Sequence, residues 1–93
     1  MLIFLWLPSV SDALARVAWR VKNGGHGIPD DVVRRRYFAG LRNMRHVYLP
    51  LVDSALVYDN SDNGSGLIAT QEAGASLIVH DRVRWNSIEE ATR

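Results

Sequence analysis

Apolar residues run unbroken from Leu2 to Leu7 and are stopped by Pro8-Ser9. A continuous run of this length with β-branched and aromatic members predicts a strand buried on both faces, the pattern of a parallel sheet. From Ser11 the period changes. Leu14, Val17, Ala18 and Val21 fall at helical spacing, while Arg16 and Arg20 share another face. Ser9 or Ser11 supplies the N-cap, and Gly24-Gly25 is a natural stop. After the tight connector Gly24-Gly25-His26-Gly27-Ile28-Pro29, the same Pro29 with Asp30 and Asp31 opens a second helix, because proline suits the first turn and acids suit its positive end. Val33, Tyr37, Leu41 and Met44 form its apolar stripe, and His46 to Val52 reads as a short helical turn broken near Pro50.

Residues 54–59 read as a second buried strand, ended by a turn-forming run over 60–66 in which every residue is Asn, Asp, Ser or Gly. Leu67–Thr70 and Ser76–His80 predict two further short strands turning through Glu72-Ala73-Gly74-Ala75, and Arg84 to Thr92 a terminal helix. Strand, helix, helix, strand implies a right-handed parallel crossover, with the last two strands as an antiparallel hairpin at one edge. The predicted class is α/β: a parallel β-α-α-β core, a short hairpin and a terminal helix in one small domain over residues 1–93. Two parallel strands make a poor isolated sheet, so exposed edges at residues 2–7 and 54–59 are expected to favour self-association or pairing with a partner.

Composition narrows the class. At 93 residues, 47% hydrophobic and 23% charged, the chain is a globule rather than a disordered or low-complexity segment. The absence of cysteine excludes disulfides, thiolate zinc sites and thiol nucleophiles. The first ten residues mimic a signal peptide but have no basic start, and Asp12 stands where a small-residue cleavage site belongs. The run is also far shorter than the roughly 20 apolar residues that span a bilayer. A cytoplasmic protein with no membrane contact is the expectation.

Charge is unevenly spread: residues 16–48 hold eight Lys/Arg against Asp30 and Asp31, and residues 49–93 hold three Arg against seven acids. A basic middle beside an acidic end suits an anionic ligand, or simply two faces of one domain. Arg34, Arg35 and Arg36 are consecutive on a helix and point about 100° apart, so at most two of them reach one ligand together with Arg16 or Arg20. Their guanidinium forks match phosphate oxygens; the plainer alternative is a solvated helix face paired with Asp30 and Asp31. His26, between glycines, is accessible to a phosphate or is ordinary polar surface. Asp59-Asn60-Ser61 ends a strand where open α/β sheets bind ligands, with an Asx turn as the simpler account. Trp6 and Trp19 sit on apolar faces and read as core, whereas Trp85 is open. His46 and His80 have no carboxylate or histidine at metal-ligand spacing. There is no G-x-x-x-x-G-K-[ST], no G-x-S-x-G and no complete catalytic centre.

The order Phe4-Leu5-Trp6-Leu7-Pro8-Ser9, Ala15-Arg16-Val17-Ala18-x-Arg20-Val21, Gly24-Gly25-His26-x-Ile28-Pro29-x-Asp31-Val32-x-x-Arg35-Arg36-Tyr37, Pro50-Leu51-Val52-Asp53 and Val57-Tyr58-Asp59-Asn60-Ser61 resembles the carboxyl-terminal half of the zeta-toxin-like P-loop kinases, also labelled predicted ABC-type ATPases. The resemblance covers about residues 2–70. It implies part of a P-loop nucleoside-triphosphate fold, phosphorylation of a small substrate with ATP and Mg²⁺, and an antitoxin partner. Residues 10–45 would be the lid, whose arginines clamp a transferring phosphoryl group. Arg16, Arg20, His26, Arg35 and Arg36 match the motif as phosphate-binding lid residues, with Arg34 left unassigned and no metal ligand among them. In that family the Walker A loop and the general-base carboxylate belong to the half preceding the matched segment.

Three functions follow from these features. One is the lid-bearing part of such a kinase, inactive without its P-loop half. Another is a non-catalytic module of the same descent that forms a homo-oligomer or binds a partner. The third, a nucleic-acid binder using residues 16–45, is disfavoured by a net charge of +1 and by the lack of aromatics interleaved on the basic face.

Overall fold

The apolar start of the chain forms β1 (Leu2–Trp6) and pairs in parallel with β2 (Ala55–Asp59), Leu2 opposite Ala55 and Trp6 opposite Asp59. The computed structural model describes residues 1–61 and 66–93. Between the two strands lie α1 (Val10–Lys22) and α2 (Asp30–Asn43). β3 (Gly66–Gln71) runs antiparallel to β2, and β4 (Ile78–Val79) antiparallel to β3, giving a four-stranded mixed sheet in the order β1-β2-β3-β4. The last helix of the described residues is α4 (Arg82–Ala91). The protein is therefore mixed α/β, with the parallel pair and the antiparallel hairpin expected from the sequence. Residues 62–65, the middle of the turn expected over 60–66, lie outside the described residues.

Local chemistry accounts for the helix ends. Ser9, rather than Ser11, caps α1: its Oγ accepts from the Asp12 N–H at 3.3 Å and donates to the Asp12 carboxylate at 3.1 Å. At the other end Gly24 takes φ of 93°, a left-handed turn that brings the Gly25 N–H back to the Arg20 carbonyl at 2.7 Å. A Cβ on Gly25 would stand 2.9 Å from that oxygen, so the second glycine is needed as well. α2 begins after Pro29 with Asp30 and Asp31 in its first turn.

The break expected near Pro50 takes another form. The helical path continues through a wide π turn, Met44–Tyr48, in which the Leu49 N–H reaches back to the Met44 carbonyl, and then through α3 (Leu49–Leu51). Such a turn re-routes the backbone bonding just ahead of a proline that has no N–H to give. α4 starts two residues before the expected Arg84, because Asp81 caps it by accepting from the Arg84 N–H at 3.0 Å.

The core is a single cluster built by Trp6, Val57, Ile68 and Ala69 of the sheet, Leu41, Met44 and Leu49 of the α2–α3 path, and Trp85 and Ile88 of α4. A bulge between Val57 and Tyr58 shifts the β2–β3 register, and Ile68 and Ala69, adjacent in β3, are both fully buried. Leu2 and Phe4 pack against the cluster. Ile3 and Leu5 alternate to the other face of β1 and are 59% and 56% exposed. The expectation of a strand buried on both faces is thus corrected: β1 is an edge strand with one face uncovered. Residues 54–59 are corrected in the opposite sense, since β2 lies between β1 and β3 and has no open edge.

Two side-chain bonds tie distant segments together. The Tyr37 hydroxyl donates to the Leu7 carbonyl at 2.6 Å, fixing α2 to the end of β1. Burial, with the Asp12 charge adding to it, pushes this phenol above its ordinary pKa. Tyr37→Phe should lower unfolding stability by about 1 kcal/mol in urea titrations, the worth of one such bond. Arg45 donates to the Thr92 hydroxyl at 2.8 Å and His46 Nε2 lies 2.7 Å from the Thr92 carbonyl, joining the π turn to the end of α4.

Candidate anion cleft at the carboxyl end of the parallel pair

Both parallel strands deliver their carboxyl ends to one place. β1 exits through Leu7 and Pro8 into α1, and β2 exits through Asn60 and Ser61. Along α1, Asp12, Arg16 and Arg20 recur every four residues and so lie on one face, each about 6 Å from the next. This face, with Ala15, Trp19, Leu7 and Ser61, lines a cleft of about 530 Å³. The Arg16 guanidinium donates to the Asn60 carbonyl, which fixes the helix face against the end of β2. Trp19 is 65% exposed and forms part of the cleft wall, so its expected place in the core is corrected: α1 buries no residue completely and packs mainly against α2. Trp6 is core as expected, and Trp85, left open by the sequence, is core too.

The candidate residues do not all converge. Arg16 and Arg20 share the cleft. His26 is exposed in the α1–α2 connector, and Arg34 and Arg35 are exposed on α2; none of the three lines the cleft. Arg36 lines a separate groove of about 190 Å³ with Phe4, Leu5, Trp6, Leu7, Tyr37, Gly40 and Leu41. Of the five residues matched to a phosphate-binding lid, the fold brings two together.

Next to Ser61 stands a cluster of which the sequence singled out only Asp59. The Asp59 side chain is only 1% exposed, at the end of β2. Its Oδ1 accepts from the Ser61 N–H at 2.8 Å, the Asx turn that was the simpler account of this segment. Its Oδ2 accepts from Arg84 Nε at 2.5 Å, and Arg84 Nη1 reaches Asp81 Oδ2 at 2.8 Å. Burial alone would raise the Asp59 pKa, but the Ser61 bonds and the Arg84 guanidinium outweigh it and hold the carboxyl below its ordinary value. Asp81 is lowered by the Arg84 N–H and guanidinium bonds, and Arg84 is raised by Asp81 and then Asp59. The strand-end position of Asp59 was legible in the sequence, and Asp81 three residues before Arg84 is a capping spacing, but nothing in the chain announces the contact across 25 residues.

The chain matches no known family model, no curated protein and no solved structure. Chemistry alone must therefore say what the cleft can hold. Two guanidiniums beside an apolar and aromatic wall suit a phosphate or carboxylate attached to a planar or apolar body. A divalent cation fits poorly. Asp59, buried at the end of β2, has both oxygens occupied, and among the described residues no group of three or more His, Asp or Glu side chains is placed to hold a metal. Among those residues no helix is long and apolar enough to cross a membrane.

Proposed function

We propose that this chain is the lid-bearing, carboxyl-terminal part of an ATP-dependent small-molecule kinase of the zeta-toxin-like kind, with no phosphoryl-transfer activity by itself. The observation that supports this reading is the cleft in which Arg16 and Arg20 face the carboxyl ends of two parallel strands. That is where an open α/β sheet receives a ligand, and a pair of arginines there suits a phosphate chain. α1 packs mainly against α2 and buries no residue completely, in keeping with a lid helix. The sequence has no P-loop to cradle a β-phosphate, so in this reading the chain contributes anion binding and leaves Walker A and metal chemistry to another part.

Titrating ATP or pyrophosphate into the ¹⁵N-labelled chain tests the reading. Amide shifts should concentrate on α1 and Ser61, with a millimolar Kd, and vanish in the Arg16→Ala/Arg20→Ala double variant. Silence at α1, or shifts confined to Arg35 and Arg36, would overturn it.

A second reading is a non-catalytic, oligomerising module of the same descent. It is favoured by the uncovered face of β1, where Ile3 and Leu5 stand exposed beside the half-buried Leu56 and Tyr58.

A further inference from the structure

We propose that β1 is a dimerisation strand, whose open edge pairs antiparallel with the same edge of a second copy about a two-fold axis at Phe4. The proposal rests on the oligomerising reading and does not involve the Arg16 and Arg20 cleft.

The backbone pattern carries it. The Leu2 N–H donates to the Ser54 carbonyl at 2.9 Å, and the Trp6 carbonyl accepts from the Asn60 N–H at 2.8 Å. In a parallel pair every second residue turns both backbone groups to the same neighbour. Leu2, Phe4 and Trp6 therefore face β2, while Ile3 and Leu5 turn two N–H and two C=O groups to the outer edge. The next outward carbonyl, that of Leu7, is already held by the Tyr37 hydroxyl. A two-fold axis at Phe4 sets Ile3 opposite Leu5 of the second copy and Leu5 opposite its Ile3. Both are then hydrogen-bonded pairs, and all four outward groups are satisfied by four bonds.

Charge and shape favour a second copy over another strand. No side chain from Met1 to Ser11 is charged, so the paired strands themselves bring no like charges together. β1 also lacks the lysine, proline or bulge that usually guards an edge. On its core side the edge is flanked by the groove of Phe4, Arg36, Tyr37 and Gly40, where the two Phe4 rings would meet. The product is a continuous eight-stranded sheet.

Sedimentation velocity on the intact chain over a wide concentration range should show a monomer–dimer equilibrium, with Kd on the order of 10 µM for so small an interface. Leu5→Pro removes an outward N–H and no bond to β2. It should leave the far-UV circular dichroism unchanged and raise the Kd about 100-fold, one factor of ten for each of the two bonds lost. Because the chain has no cysteine, Phe4→Cys gives a clean cross-linking probe. Across a non-hydrogen-bonded antiparallel pair the two Cα atoms lie about 4.5 Å apart, within disulfide reach, whereas two Leu5→Cys positions do not face each other. Phe4→Cys should therefore oxidise to a covalent dimer and Leu5→Cys should not. A dimer that survives Leu5→Pro, or equal cross-linking at both positions, overturns the edge pairing and leaves the oligomerising reading standing. A monomer at every concentration overturns both.

Discussion

Replacing Trp85 by alanine should cost about 3–5 kcal/mol, the usual range for removing a buried large aromatic. A domain of this length has about 5–14 kcal/mol in total, so much of its stability would go with one side chain. The reason is positional. Trp85 is 5% exposed and, with Ile88, forms the face that α4 presents to β3 and the α2–α3 path. Without it, the end of α4 is tied to the π turn by the bonds of Thr92 with Arg45 and His46 and by the Arg45–Glu89 contacts. Urea unfolding should show a large fall in midpoint with little change of slope. Trp19→Ala is the control: that ring is 65% exposed on the cleft wall, and its loss should change stability by less than about 0.5 kcal/mol. Equal losses in the two variants would mean that α4 does not close the core as described.

The two tryptophans also show what a sequence of this kind reveals. Helical periodicity placed α1, and capping chemistry placed its ends within a residue or two, because both depend on neighbours along the chain. Periodicity cannot say whether an apolar stripe has anything to pack against. The stripe of α1 holds Leu14 and Val17, both half-buried, and exposed Ala18, and the helix buries no residue completely. The same limit explains β1: an apolar run reads as doubly buried, yet Ile3 and Leu5 face outward because only one side of the strand carries the core cluster. At the cleft, the shared face of Arg16 and Arg20 was legible from their four-residue spacing. The separation of Arg35, Arg36 and His26 from them was not, since it depends on how the α1–α2 hairpin lies against β1. Asp59 was singled out by its place at a strand end, but its pairing with Arg84 was not legible, for the related reason that it is a tertiary contact.

That pairing governs the response to acid. In the fold Asp59 and Asp81 both titrate below the ordinary carboxylate value of about 3.9. Their stabilisation is therefore fully present above that value and is lost as pH falls through the lower folded-state values. The thermal midpoint should be flat from neutral pH down to about 5 and decline below about 4. Arg84→Met makes the cause visible. At neutral pH it leaves the Asp59 carboxylate, 1% exposed, with the Ser61 bond but no cation, which is the costly way to break an ion pair. As pH falls through the lowered folded-state values the carboxyls take up protons, and less remains for Arg84 to stabilise. The gap in midpoint between wild type and Arg84→Met should therefore be widest near pH 7 and narrow steadily toward pH 3. Arg82→Met, whose arginine makes only a 4.0 Å contact with Glu89, should show no such trend. A gap of constant size from pH 7 to 3 would mean that Arg84 acts through packing alone. A narrowing gap would establish the Asp59–Arg84–Asp81 clasp as the ionic tie between the end of β2 and the start of α4, the tie that holds Ser61 and the rear wall of the arginine cleft in place.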